Sequence, residues 1–259
     1  MILDEIAERT RQRVVEQKQS ISLEEMKEKA SQMEITMDFP FEKALRQDDI
    51  SFICEVKKAS PSKGLIAPDF PYVSIAKEYE EAGAAAISVL TEPYYFQGSN
   101  TYLSEIAAQV KIPVLRKDFT VDEYMIYEAK VIGASAVLLI CAILDLDTLK
   151  AYLQLAHSLG LSAIVEAHDE AEVQMALDAG ARIIGVNNRD LRTFTVDINN
   201  SARYRKMVPD NIIFISESGI KTAEDIQRLR ENGTNAVLIG ETFMRSADKK
   251  AELKKLRGK

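Results

Sequence analysis

Eight short apolar runs recur about every 25 residues from position 51 onward, each followed by an amphipathic stretch. No other feature of the sequence restricts the possible folds as much. The pattern predicts strands over 51–57, 85–90, 113–117, 135–140, 162–166, 182–187, 211–216 and 235–240. It predicts helices near 72–82, 99–110, 122–132, 145–159, 169–179, 197–207, 222–232 and 247–257. Gly83, Gly133, Gly160, Gly180 and Gly233 stand where left-handed C-caps belong, and Asp122, Asp145, Asp169, Asp197 and Thr222 where N-caps belong. The runs are apolar almost throughout, as in parallel strands covered on both faces. Eight strand–helix units, with no dinucleotide fingerprint after the first, favour a closed barrel over an open doubly wound sheet. The expected architecture is α/β: a single (β/α)8 TIM barrel over 49–259 with an N-terminal helical extension over 1–48.

The extension contains no predicted strand. Ile2, Leu3, Ile6, Ala7 and Val14 form an apolar stripe at helical spacing. Ser22-Leu23-Glu24-Glu25 has the form of a capping box and opens a second helix that runs to about Met33. Phe39-Pro40-Phe41 interrupts it, and a short turn follows to Leu45. Two readings stand: an appendage the barrel can lose, or a lid over the barrel mouth packed through Phe39 and Phe41. As a lid, loss of 1–45 raises KM more than it lowers barrel stability.

Several of the apolar runs end abruptly in charged or amide residues. Phe52-Ile53-Cys54 meets Glu55-Val56-Lys57, and Pro113-Val114-Leu115 meets Arg116-Lys117-Asp118. Ala163-Ile164-Val165 stops at Glu166, Ile183–Val186 at Asn187-Asn188-Arg189, and Ile212–Ile215 at Ser216-Glu217-Ser218-Gly219. A buried charge is costly unless it faces water or a partner. Right-handed crossovers place all these ends on one face, the face where such barrels hold their sites. Glu55 and Lys57, two apart on a strand, share the inward side, and Lys117 alternates with Leu115 to point inward as well. Two lysines and two glutamates in one mouth supply acid, base and charge stabilisation. Burial or a second cation would lower Lys117 and sharpen it as a proton donor, and burial would raise Glu166. Arg189 is suited to a carboxylate or phosphate. Ser218-Gly219 and Gly240-Glu241, at the last two strand ends, stand where this architecture usually binds phosphate. Lys58–Gly64 forms a long first loop able to fold over an anion. His168, just past the Glu166 strand, is either a pocket-edge or a structural residue. His157 lies within a helix and reads as structural.

Composition closes off other classes. With 46% hydrophobic and 28% charged residues the chain is ordinary for a globular protein. A net charge of −7 without a basic stripe argues against nucleic acid. No run reaches a membrane span, and the acidic first turns do not resemble a targeting peptide. Cys54 and Cys141 lie in apolar runs and are expected as buried thiols of a cytoplasmic protein. No spacing suggests a metal or cofactor site.

The motifs together resemble the indole-3-glycerol phosphate synthase family. The resemblance rests on Cys54-Glu55-Val56-Lys57-Lys58-Ala59-Ser60-Pro61-Ser62, on Ser88–Glu92 with Tyr95-Phe96-Gln97-Gly98-Ser99, and on Leu115-Arg116-Lys117-Asp118-Phe119. It continues through Val165-Glu166, Gly185–Leu191, Ser216–Ile220 and Leu238-Ile239-Gly240, and covers almost the whole chain. The resemblance implies ring closure, decarboxylation and dehydration of a carboxyphenylamino-deoxyribulose phosphate in tryptophan biosynthesis, by a monomer needing no cofactor. It implies Lys117 as general acid, Glu166 as general base in dehydration, Glu55 and Lys57 beside them, and Asn187 orienting the groups. Ser60, Phe96, Phe119, Leu138, Arg189 and Glu217 become substrate contacts, with the aromatics and Leu138 forming the wall around an anthranilate ring. Ser218, Gly219, Gly240 and Glu241 become the phosphate site. Glu241 departs from members with a small hydroxyl residue there, and its side chain is expected to turn away from phosphate. The rival readings are a phosphoribosylanthranilate isomerase, an aldolase with a Schiff base on Lys117, and a phosphosugar-binding protein without activity.

Overall fold

A computed structural model describes residues 2–190 and 193–258; Met1, Leu191, Arg192 and Lys259 lie outside the described residues. Its strands are β1 (Ser51–Val56), β2 (Ala59–Ser60), β3 (Gly64–Leu65), β4 (Ala86–Leu90), β5 (Val114–Lys117), β6 (Ala136–Ile140), β7 (Ser162–Ala167), β8 (Ile183–Asn187), β9 (Ile213–Glu217) and β10 (Ala236–Ile239). All but β2 and β3 pair in parallel and close into one barrel, in the order β1-β10-β9-β8-β7-β6-β5-β4. Helices α4 (Tyr72–Ala82), α5 (Asn100–Ala107), α6 (Glu123–Val131), α7 (Leu146–Ser158), α8 (Glu170–Asp178), α9 (Asn199–Arg205), α10 (Ala223–Glu231) and α12 (Lys249–Arg257) fall between or after the strands. Every predicted strand forms, to within two residues at either end.

Alternation along each strand sorts two hydrophobic layers. Cys54, Val56, Ile87, Val165 and Ile184 point outward and pack under the helices. Ile53, Leu115, Leu138, Ile164 and Ile215 point inward and fill the barrel. Two residues beyond the inward Ile53, Leu115, Ile164 and Ile215 come Glu55, Lys117, Glu166 and Glu217, so the same periodicity carries the charges to the carboxyl rim.

The connections depart from expectation in places. The first loop contains the two-stranded hairpin β2–β3. A one-turn helix, α11 (Glu241–Arg245), follows β10 and falls outside the predicted helices. Asp122, Asp145, Asp169 and Thr222 cap their helices through side-chain oxygens. Asp197 instead accepts the Asn199 N–H at 3.0 Å, and α9 begins two residues later than predicted.

The extension forms α1 (Ile2–Ser20), α2 (Leu23–Ser31) and α3 (Pro40–Leu45). The Ser22–Glu25 capping box is present. Helix α1 lies against the β5–α6 segment: Arg13 Nη2 donates to both Asp118 oxygens at 2.9 Å, Lys18 pairs with Asp122 at 2.8 Å, and Gln17 donates to Glu128. The expected placement of Phe39 and Phe41 over the mouth is overturned. Phe41 and Leu45 are fully buried with the inward layer. Their neighbours sit at amino ends of strands: the Ser51 hydroxyl donates to Ala44 O, Arg46 to Asn211 O, and Glu42 pairs with Arg182 at 2.7 Å. Phe39 lies under the Arg182 guanidinium and edge-on to His157, whose imidazole burial lowers to about 4. Thus α3 stoppers the base of the barrel, because its apolar pair meets there the small and branched ends of the inward layer. The residues of the extension that reach the mouth are Ile2, Leu3 and Ile6. No described helix is long and apolar enough to cross a membrane.

Candidate active site

A cavity of about 760 Å³ opens at the carboxyl rim, and every site residue named from the sequence lines it. At its centre Lys117 Nζ, at the end of β5, donates to Glu166 Oε2 on β7 at 2.9 Å and to Glu217 Oε2 on β9 at 2.7 Å. All three side chains are largely buried. Glu55 and Lys57 pair with each other across one pleat of the β1 end. Asn187 Nδ2, closing β8, donates to Glu166 Oε1 at 3.3 Å, while its own Oδ1 accepts the Arg189 N–H.

Two glycines make this crowding possible. A Cβ on Gly185 would overlap Glu217 Oε1, and one on Gly240 would overlap Glu55 Oε1. Both strands therefore give up a side chain where a neighbouring carboxylate leans across them. Gly240 does this besides opening α11. That close approach is a packing role the sequence reading did not foresee.

The electrostatics differ from expectation at Lys117 and Glu166. Burial would lower Lys117, but Glu166, Glu217 and Glu55 outweigh it and hold the ammonium above its ordinary range. Burial would raise Glu166, but Lys117 and His168 more than reverse it, and this carboxylate lies below its ordinary range. Glu217 is the carboxyl that burial pushes up, to about 7, with Glu166 adding to the rise and Lys117 opposing it. Of two glutamates sharing one ammonium, the second ionises less readily because the first already carries the charge.

His168 was left open from sequence and proves to touch the site. Its Nε2 lies 3.2 Å from Glu166 Oε1, an ion-pair distance, and its Nδ1 lies 2.9 Å from Glu172 Oε2. Burial would lower this imidazole, but the two carboxylates raise it to about 10.

The rest of the cavity divides by polarity. Phe96 and Phe119, with ring centroids 6.0 Å apart, join Leu138 in an apolar wall that Leu90 and Ile140 extend. On the other side stand Ser60, Arg189 and the loop after β9. Ser218 (φ 68°) and Gly219 (φ 83°) turn that loop through successive left-handed conformations, which for serine signals strain held by its surroundings. Asn188 holds it, donating to Ser216 Oγ at 3.0 Å and Ser218 O at 3.1 Å. Glu241 turns toward its own helix and the first loop, 3.1 Å from Arg245 Nε and 3.6 Å from Lys63 Nζ. Lys63, Lys221 and Arg245 add positive charge around this end of the cavity.

Fold and cavity together define a (β/α)8 barrel whose carboxyl rim gathers lysines and carboxylates from the strand ends. Residues 3–256 match the sequence model of a family described as indole-3-glycerol phosphate synthase. A protein of Ruminiclostridium cellulolyticum named indole-3-glycerol phosphate synthase is 60% identical over 258 residues, covering 100% of this chain and 99% of its own. One of Endomicrobium trichonymphae with the same name is 56% identical, covering 99% and 100%. Among solved structures, 3-hexulose-6-phosphate synthase from Salmonella typhimurium superimposes with a TM-score of 0.66 at 15% identity, over 81% of this chain and 97% of that one. A mutant tryptophan synthase alpha-subunit from Pyrococcus furiosus gives 0.62 at 15% identity, over 82% and 99%. At that identity the two structures speak for the fold alone. The chain belongs to the indole-3-glycerol phosphate synthase family.

Proposed function

We propose that this cavity converts 1-(2-carboxyphenylamino)-1-deoxy-D-ribulose 5-phosphate to indole-3-glycerol phosphate, carbon dioxide and water, as a carboxy-lyase of tryptophan biosynthesis. The observation that carries the reading is the buried Lys117 ammonium held between Glu166 and Glu217, in a cavity lined both by apolar side chains (Phe96, Phe119, Leu138) and by cationic ones (Lys63, Arg189, Lys221, Arg245).

Ring closure joins the aromatic carbon that bears the carboxylate to the ribulose carbonyl carbon. Negative charge then develops on the carbonyl oxygen, and Lys117, held protonated by its carboxylates, supplies the proton. Loss of carbon dioxide from the same carbon restores the aromatic ring. Lys57 then donates a proton to the new hydroxyl, which leaves as water, while Glu166, ionised and aimed by Asn187, accepts the proton released by the ring that becomes indole. Lys57 sits to meet the substrate carboxylate, with Glu55 holding it. Phe96, Phe119 and Leu138 sandwich the anthranilate ring. Arg189 and Ser60 meet polar groups of the substrate. Ser218, Gly219 and Gly240 receive the phosphate, with Glu241 directed at Arg245 rather than at the anion. The aldolase reading is disfavoured by the charge on Lys117, because an amine must shed its proton before it attacks a carbonyl.

The residues at the mouth, Ile2, Leu3 and Ile6, act as the lid. The enzyme works as a monomer in the cytoplasm without nucleic acid. Its buried unpaired thiols and net charge of −7 support this, and light scattering in dilute solution tests the monomer. Lys117→Met tests the acid: the fold is retained and kcat falls by about 10² or more. Indole fluorescence during turnover measures it, and near-normal turnover would reject the role.

A further inference from the structure

The short segment after β7 contains a device that the reaction scheme above does not use. His168 directly follows that strand and Asp169 caps α8. Glu172, three residues beyond the cap, reaches back: its Oε2 accepts the His168 backbone N–H at 2.8 Å and stands 2.9 Å from His168 Nδ1. The ring is thus gripped at backbone and side chain by one carboxylate oxygen. This leaves Nε2 3.2 Å from Glu166 Oε1, an ion-pair contact without a hydrogen bond, on the oxygen that accepts from Asn187. The other Glu166 oxygen accepts from Lys117. Glu217, in contrast, shares Lys117 through Oε2 only, and its Oε1 is buried without a partner. The two carboxylates on one ammonium are therefore unequal: the second oxygen of Glu166 faces Asn187 and His168, and that of Glu217 faces neither.

We propose that His168, braced by Glu172, is a positioning residue that fixes Glu166 and decides which of the two carboxylates on Lys117 remains free of a proton. An acceptor with cationic or amide donors on both oxygens keeps its charge, and the proton shared by a crowded pair goes to the member with fewer donors. The charged groups acting on the ring are Glu166 from β7 and Glu172 from α8; Cys141, from the turn after β6, packs behind Glu172. Cys141 Sγ lies 3.5 Å from Glu172 O, and burial with these carboxylates raises its thiol to about 12, so it stays neutral. A neutral ring would leave Glu166 its two hydrogen-bond donors, Lys117 and Asn187, but remove a cation 3.2 Å away and bring it closer to Glu217 in proton affinity. The proposal rests on Glu166 as the base assigned above, and its test separates the two.

The test is a carbon-13 NMR titration of the glutamate carboxyls in the full chain, with steady-state kinetics across pH, on wild type, His168→Leu, His168→Gln and Glu172→Gln. In His168→Leu the Glu166 midpoint is expected to rise by about one pH unit or more. Its kcat is expected to fall by about tenfold or more while KM changes less than about twofold. His168→Gln, which returns a neutral donor near the Nε2 position, recovers part of both, a pattern loss of packing alone would not produce. Glu172→Gln keeps an acceptor for the backbone N–H and shifts the midpoint in the same direction, so it serves as the test if His168→Leu fails to fold. An unmoved Glu166 midpoint in folded variants overturns the proposal. A moved midpoint with an unchanged kcat–pH profile upholds it and removes Glu166 from the role of base.

Discussion

Burial pushes the Glu217 carboxyl up to about 7, so near neutral pH it is poised between its protonated and ionised forms, where a surface glutamate would be ionised. Folding raises this carboxyl from its ordinary 4.5 to about 7, so the folded state binds the proton more tightly than the unfolded chain. The contribution of this group to stability is therefore greatest at low pH and declines as pH rises through 4.5 to 7. Function follows the same sign. Above pH 7 the cavity gains a negative charge beside Lys117 and repels an anionic substrate. KM is expected to rise by several-fold between pH 6 and 8.5 in wild type, and Glu217→Gln should flatten that rise when both are assayed over the same range. A wild-type KM constant over this interval would contradict the assignment. The carboxylates and lysines themselves were legible as polar ends of apolar runs. What no spacing contained was their order of acidity, because it depends on which oxygen meets which donor across three strands. Gly185 and Gly240 were similarly opaque: each is needed for space taken by a side chain from a neighbouring strand.

At the scale of elements, the strand–helix alternation was readable because each unit repeats one period, buried on both faces of the sheet. The hairpin β2–β3 and helix α11 were not, since neither is long enough to express a period. Helix α3 shows a different limit. Its apolar residues were visible, but a side chain's hydrophobicity does not say which end of a barrel it enters. Phe41 fills the base, so Phe41→Ala should cost about 3–5 kcal/mol, the range for a buried phenylalanine. At about 2–4 °C per kcal/mol for a chain of this size, Tm should drop by roughly 6–20 °C. KM and kcat measured well below that Tm should stay near wild type, because the stopper lies at the end of the barrel opposite the site. A large change in KM without loss of Tm would return Phe41 to the mouth.

Across the whole molecule, the extension runs from one end of the barrel to the other. Ile2, Leu3 and Ile6 stand at the mouth, Arg13 is tied to Asp118 next to Lys117, and Phe41 with Leu45 closes the base. Deleting 1–45 therefore removes two functions at once and should leave an unstable barrel, contrary to a lid-only reading. Deleting 1–20 should spare the base and weaken the mouth. The expected result is a folded protein with KM raised several-fold, measured by initial rates, and a stability loss of up to about 3–5 kcal/mol from stranding Asp118. If the 1–20 deletion binds substrate normally, α1 has no part in the site. The stopper at the base also constrains how the polypeptide reaches its final form. Phe41 emerges early in synthesis, yet the inward layer that it joins at the base includes Ala236 at the amino end of β10, almost two hundred positions downstream. Its seat does not exist until the last staves are in place, so sealing the floor and closing the ring are one late event, and a nascent chain halted before β10 lacks a complete seat for Phe41.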